Sequence, residues 1–225
     1  MRIWDMYCHL SGISGSTPEE RLANLLEYAD RMAIKRMILY KDTSMAENPP
    51  PGDLRDHNDH MMELLEGREN RALGYAALGY AYVNPFHVDD SLREIDRCVR
   101  DGPLVGVKLF TTMKASNPRV DPIIERAGEL NALIFQHSWY KVGGDPPVPG
   151  GGNRVRESTP VDVAALASRH PDVPIICGHA GADWELGIAA VRGCDNVYIG
   201  MAGYDPTSGM TESAVDELGA ERVLY

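Results

Sequence analysis

Strand-like and helix-like segments alternate along this whole chain, and no two strand-like segments follow each other across a hairpin turn. Short runs rich in Ile, Val, Leu and Met at 2–9, 34–40, 71–83, 104–110, 132–137, 173–179 and 196–202 read as strands, and 222–225 begins an eighth. Between them, apolar residues at helical spacing mark helices at 18–32, 56–67, 89–100, 121–131, 160–170, 184–192 and 211–218. Thr17-Pro18-Glu19-Glu20 and Thr159-Pro160-Val161-Asp162 carry the cap, proline and first-turn acids of helix starts. Such an order implies parallel strands joined by helical crossovers. Eight units favour a closed (β/α)8 TIM barrel over an open doubly wound sheet, and no G-x-G-x-x-G turn follows the first strand. The expectation is one domain over residues 1–225, apparently lacking the end of its eighth unit.

Charge narrows the partners. A formal charge of −11 and a pI near 5.0 argue against nucleic acid, whose phosphates need clustered Lys and Arg. No apolar run approaches the roughly 18 residues of a membrane span. Cys8, Cys98, Cys177 and Cys194 show no C-x-x-C pairing and read as reduced thiols of a cytoplasmic protein. Beyond that the charge says little, since an acidic surface is the common state of cytoplasmic enzymes.

In a barrel of this kind, catalytic side chains come from the C-terminal ends of several strands. His9 ends the first predicted strand, His137 the fifth and His179 the sixth. On strict alternation Ile3, Asp5, Tyr7 and His9 share one face. Lys108 lies on the opposite parity from Val105, Val107 and Leu109, so it points into the barrel, a costly place for a lysine without a function. Imidazole is the commonest ligand of zinc and similar ions, and three ligands plus a water make an open catalytic site.

These motifs carry a resemblance. Asp5-Met6-Tyr7-Cys8-His9, Val105-Gly106-Val107-Lys108-Leu109, the strand-ending His137, Gly178-His179-Ala180-Gly181 and Ala220-Glu221-Arg222-Val223-Leu224-Tyr225 together resemble the metal-dependent amidohydrolases, in the branch called amidohydrolase family 2. That branch contains hydrolases and non-oxidative decarboxylases. The resemblance implies that His9 and His137 bind a divalent metal, zinc first, and that His179 is a further ligand or positions the metal-bound water. Lys108 would stabilise developing negative charge. The activity implied is hydrolysis of a small amide, ester or lactone. One alternative is decarboxylation, and another is a catalytically inactive binding protein on the same barrel.

Two positions depart from the family pattern. Tyr7 stands where the first-strand D-x-H-x-H motif has its first histidine, and phenol, with a pKa near 10, is a poor ligand at neutral pH. The family's eighth strand continues as Gly-Ser-Asp, just past the place of Tyr225, so either the 225 residues are part of a longer protein or the site lacks its carboxylate base; a partner subunit or further chain is expected to cover the exposed edge, and a homo-oligomer is the reading adopted. Arg154 and Arg156 could clamp a substrate carboxylate, or be ordinary loop charges. Tyr7 and Trp139, with Tyr140, would wall the pocket. His57 and His60 read as a solvated helix face, His87 and His170 as local capping groups, and Trp184 as core.

Overall fold

The computed structural model describes residues 3–40, 48–66, 76–141, 153–202 and 209–224. Eight strands, β1 (Ile3–His9), β2 (Ile34–Tyr40), β3 (Ala76–Tyr82), β4 (Gly106–Leu109), β5 (Leu133–Gln136), β6 (Ile175–Cys177), β7 (Val197–Gly200) and β8 (Val223–Leu224), pair in sequence order. Every pair is parallel, and the sheet curls into a nearly closed barrel. Seven helices alternate with the strands: α1 (Pro18–Arg31), α2 (Pro51–Leu65), α3 (Val88–Ile95), α4 (Asp121–Glu129), α5 (Pro160–Arg169), α6 (Trp184–Val191) and α7 (Met210–Leu218). None of the described helices is long and apolar enough to cross a membrane.

Local chemistry sets the helix starts. The Thr17 hydroxyl accepts from the Glu20 amide at 3.2 Å, and the Glu20 carboxylate accepts from the Ser16 amide at 2.7 Å. At α5 the Thr159 amide donates to Asp162 at 2.8 Å. Helix α2 begins at Pro51 rather than at residue 56, because Pro51 sits at a first-turn position where its missing N–H costs nothing. Helix α3 runs on through a π-helical turn, Asp96–Arg100, closed by the Asp101 amide on the Asp96 carbonyl at 2.9 Å. β3 is described from Ala76, and the start of the strand expected from residue 71 falls outside the described residues.

Three apolar layers result. The outward side chains of β1–β3, including Met37, Leu39 and Ala77, pack beneath α1 and α2 on Leu22, Leu26, Met61 and Leu65. Those of β4–β7, including Val107, Ile134, Ile175 and Ile199, pack beneath α4–α7. The lumen holds Ile38, Tyr80, Phe135 and Ile176, against which Met6 and Tyr7 pack. Strict alternation fails in β1. The register slips between Asp5 and Cys8, so Met6 and Tyr7 together face Ile38, while Ile3 joins Cys8 in the layer under α1. Of the four residues expected on one face, Tyr7 and His9 remain together at the lumen end, with ring centroids 4.5 Å apart.

The peripheral histidines depart from their expected roles. His57 is buried, its ring 5.9 Å from Tyr40 and 5.4 Å from Tyr82, so α2 turns it inward and not to solvent. His87 is the N-cap residue of α3 but makes no side-chain cap bond. His170, the C-cap of α5, reaches across to Asp121 on α4 at 3.0 Å. Trp184 packs against the core as expected.

One buried amide fastens α2 to the barrel. Asn58 donates to the Tyr82 carbonyl at 3.1 Å and to Glu94 at 2.9 Å, and accepts from the Tyr82 amide at 2.7 Å. Asn58→Ala would strand the buried Tyr82 amide and carbonyl at the end of β3, while Glu94 keeps its Arg97 bonds. The variant is expected to lose about 2–4 kcal/mol, given roughly 1–3 kcal/mol for a buried group left unsatisfied and partial relaxation. Urea unfolding followed by circular dichroism measures the loss.

Candidate metal centre

Four strand ends deliver one group each to the same mouth of the barrel: His9 from β1, Lys108 from β4, His137 just past β5 and His179 just past β6. The rings of His137 and His179 are 5.3 Å apart, and Tyr7 lies 5.4 Å from His179. Phe110 stands 5.0 Å from His137, and Trp139 stands 5.2 Å from His179. His9 joins them through Tyr7, whose ring centroid is 4.5 Å from its own.

Glycines allow this convergence. A Cβ at Gly178 would come within 2.5 Å of the Phe135 ring, so β6 can approach β5 only without a side chain there. Gly181 has φ of +100° and lies against the Tyr140 backbone, whose carbonyl accepts from the Ala182 amide at 2.7 Å. The Gly178-His179-Ala180-Gly181 motif is thus a close-approach device that aims His179 at the lumen.

The two buried histidines have defined outer partners. His179 Nδ1 lies 2.6 Å from the Ala202 carbonyl, which can only accept, so Nδ1 carries the proton and Nε2 the lone pair. His137 Nε2 lies 3.1 Å from Glu157 Oε1, while its Nδ1 is buried without a hydrogen-bond partner among the described residues. Burial holds both imidazoles below their ordinary pKa, and neighbouring charges push His179 further down. Burial alone would raise the Glu157 pKa. The His137 and Arg154 hydrogen bonds and the charge of Lys141, at 3.3 Å, outweigh it and bring that pKa to about 2.

Lys108 is fully buried, and its Nζ lies 3.6 Å from the Phe135 ring centre and 3.9 Å from that of Tyr7. The Nζ has no hydrogen-bond partner among the described residues. Ring faces return about 2 kcal/mol to a desolvated ammonium, whereas unpaired burial of the charge costs far more. Desolvation therefore wins, and the amine is pushed well below its ordinary pKa. Parity in β4 predicts this inward placement correctly.

The remaining site expectations divide. Tyr7 and Trp139 line the histidine pocket. Arg154 and Arg156 take different places. Arg154 is exposed and contributes its backbone amide to Glu157 at 3.0 Å. Arg156 lies over Phe86 at 4.8 Å, in a separate cavity of about 430 Å³ that also meets Lys114 and Arg119. Glu157 and Lys141 were not foreseen: His137 and Glu157 are 20 residues apart across an irregular loop, and no spacing rule joins them.

The donor set suits a divalent metal in part. Two neutral imidazoles with lone pairs on buried nitrogens are appropriate ligands. Among the described residues, however, no three His, Cys, Asp or Glu side chains stand in metal-ligand arrangement, so the set His9, His137 and His179 is not closed.

Comparison with known proteins follows the same line. The family model described as amidohydrolase matches residues 47–225. A 2-amino-3-carboxymuconate-6-semialdehyde decarboxylase from Dictyostelium discoideum is 28% identical over 91 residues, which are 39% of this chain and 24% of that protein. This chain therefore matches about a quarter of that relative's length. The fold superimposes on 2,6-dihydroxybenzoate decarboxylase from Rhizobium with a TM-score of 0.70 and 18% identity, over 99% of this chain and 85% of that one. A dihydroxybenzoic acid decarboxylase from Polaromonas, with bound manganese and the inhibitor 2-nitroresorcinol, gives 0.67 at 17% identity over 99% and 84%. For 5-carboxyvanillate decarboxylase from Sphingomonas paucimobilis the values are 0.67 and 14%, over 99% and 87%.

Lys108 sets a pH dependence. The unfolded chain keeps its lysine proton up to about pH 10.4, while the folded chain gives it up at a lower pH. Between those two values the unfolded state binds more protons, so this group makes stability rise with pH, by at most about 1.4 kcal/mol per pH unit. In Lys108→Met that contribution vanishes. Urea midpoints of both proteins between pH 7 and 10 are expected to diverge on this account, with the flatter profile in the variant.

Proposed function

This chain belongs to the amidohydrolase family, and on that ground we propose that it is a metal-dependent, non-oxidative decarboxylase of a small conjugated or aromatic acid. The observation that carries the reading is the lumen: neutral His137 and His179 open onto a wall of Tyr7, Phe110 and Trp139 rings. An apolar wall holds a planar substrate and penalises a localised carboxylate more than the dispersed charge that develops as CO2 departs. The names of the similar decarboxylases support the same chemistry.

His137 through Nδ1 and His9 would hold the ion, with His179 as a third ligand or beside it. Zinc suits imidazole donors, and one of the similar decarboxylases carries manganese. When bound, a divalent ion supplies a positive charge that anchors a substrate oxygen. In the reaction, the C–C bond to the carboxylate breaks, CO2 leaves, and the electron pair stays on the substrate carbon, which takes up one proton. If His179 stands beside the ion and does not bind it, its Nε2 would pass that proton in from water, while its Nδ1–H stays on Ala202. Lys108 borders the pocket and favours negative charge in the substrate whenever its amine is protonated.

The second reading, hydrolysis of an amide, ester or lactone, rests on the same Nε2 lone pair, which could take a proton from water. Incubating manganese- or zinc-loaded protein with hydroxylated benzoates and with lactones separates the two. Release of CO2 with formation of the decarboxylated ring is expected; lactone opening without any CO2 release would overturn the decarboxylase reading. His137→Ala is expected to weaken metal affinity by at least about 10–100-fold, as measured by titration calorimetry.

A further inference from the structure

We propose that Glu157, held by Lys141 and the Arg154 amide, is a positioning residue that fixes the His137 ring so that Nδ1, and not Nε2, faces the metal centre. The inference rests on the metal-centre reading above, and goes beyond it by assigning a role to a loop that leaves the histidine cluster.

Both carboxylate oxygens of Glu157 are committed. Oε1 accepts from His137 Nε2 at 3.1 Å, and Oε2 accepts from the Arg154 amide at 3.0 Å and pairs with Lys141 at 3.3 Å. The carboxylate is buried at 5% exposure, where an unpaired charge would be costly, so this three-way engagement is what keeps it in place. An imidazole turns about its side-chain bonds, and flipping its ring would exchange each nitrogen with a ring carbon, setting Cε1–H in place of Nε2–H against Glu157. With an ionised carboxylate at one nitrogen, the ring has one favoured setting: Nε2–H toward Glu157 and the lone pair of Nδ1 toward the lumen. The orphaned burial of Nδ1 is the mark of that setting.

The frame behind Glu157 is rigid. The Trp139 amide donates to the Ser158 carbonyl at 2.8 Å, and the Ser158 hydroxyl accepts from the Ala115 amide at 2.9 Å. Asn153 donates to the Trp139 carbonyl and accepts from the Lys141 amide at 3.1 Å. The segment before α5 is thereby laced back onto the end of β5, so Glu157 reaches His137 from a fixed position.

The test compares Glu157→Ala, Glu157→Gln and Lys141→Met. Glutamine keeps an acceptor oxygen for Nε2–H but not the charge. Calorimetric titration with manganese or zinc is expected to show affinity about 10–100-fold lower in Glu157→Ala, within a few-fold of wild type in Glu157→Gln, and intermediate in Lys141→Met. A merely structural role would lower the melting midpoint without this rescue. Unchanged affinity in Glu157→Ala, or an equal loss in Ala and Gln variants, would overturn the proposal.

A second readout needs no metal. Nitrogen-edited NMR of the metal-free protein should show an exchange-protected His137 Nε2–H in wild type and Glu157→Gln that is missing from Glu157→Ala and from His137→Ala. Its absence from wild type would overturn the proposal even if metal binds. Its presence in a wild type that binds no metal would leave the clamp standing while the metal-dependent function fails. Should Glu157→Ala not fold, Glu157→Gln and Lys141→Met still read both quantities.

Discussion

In a parallel barrel both faces of every strand must be covered, and here the two faces are covered by different kinds of residue. The outward side chains are aliphatic and meet the helices in two layers, one under α1 and α2 and one under α4–α7. The inward side chains are larger and mixed: Tyr80, Phe135 and Ile38 fill the lumen, and Lys108 stands among them with no carboxylate partner among the described residues. That division lets a single sheet carry stability on one side and chemistry on the other. It also explains why Lys108 and the histidines lie at strand ends, since only there does the lumen open to substrate.

Burial then determines the electrical state of the site. Desolvation keeps His137 and His179 neutral and pushes Lys108 toward the free amine. Glu157 escapes the same fate because three donors converge on it. The result is a pocket in which the Glu157 carboxylate stands behind the His137 imidazole. Such an arrangement is suited to holding a cation and to handling a planar acid between Tyr7, Phe110 and Trp139.

Much of this was legible before any coordinates. The alternation of periods specified a barrel, and the order β1 to β8 follows it without exception. Parity in β4 placed Lys108 inside, because a regular strand offers only two directions. Parity in β1 misplaced Ile3, because a register slip between Asp5 and Cys8 inserts a residue that no local pattern announces. His57 was misread for a similar reason: polar neighbours suggested solvent, but Asn58 finds its partners on β3 and α3, and the helix face follows them inward.

Taken alone, the sequence determined which residues could carry the chemistry and at which strand ends they stand, since periodicity and motif are local properties. Only the tertiary structure decided how they act on one another. It joined Glu157 to His137 across 20 residues, gave His179 the Ala202 carbonyl as partner, and moved Arg156 away to Phe86. Hydrogen bonds between distant segments depend on where loops return, and that is fixed by the packing of the whole barrel and not by neighbouring residues.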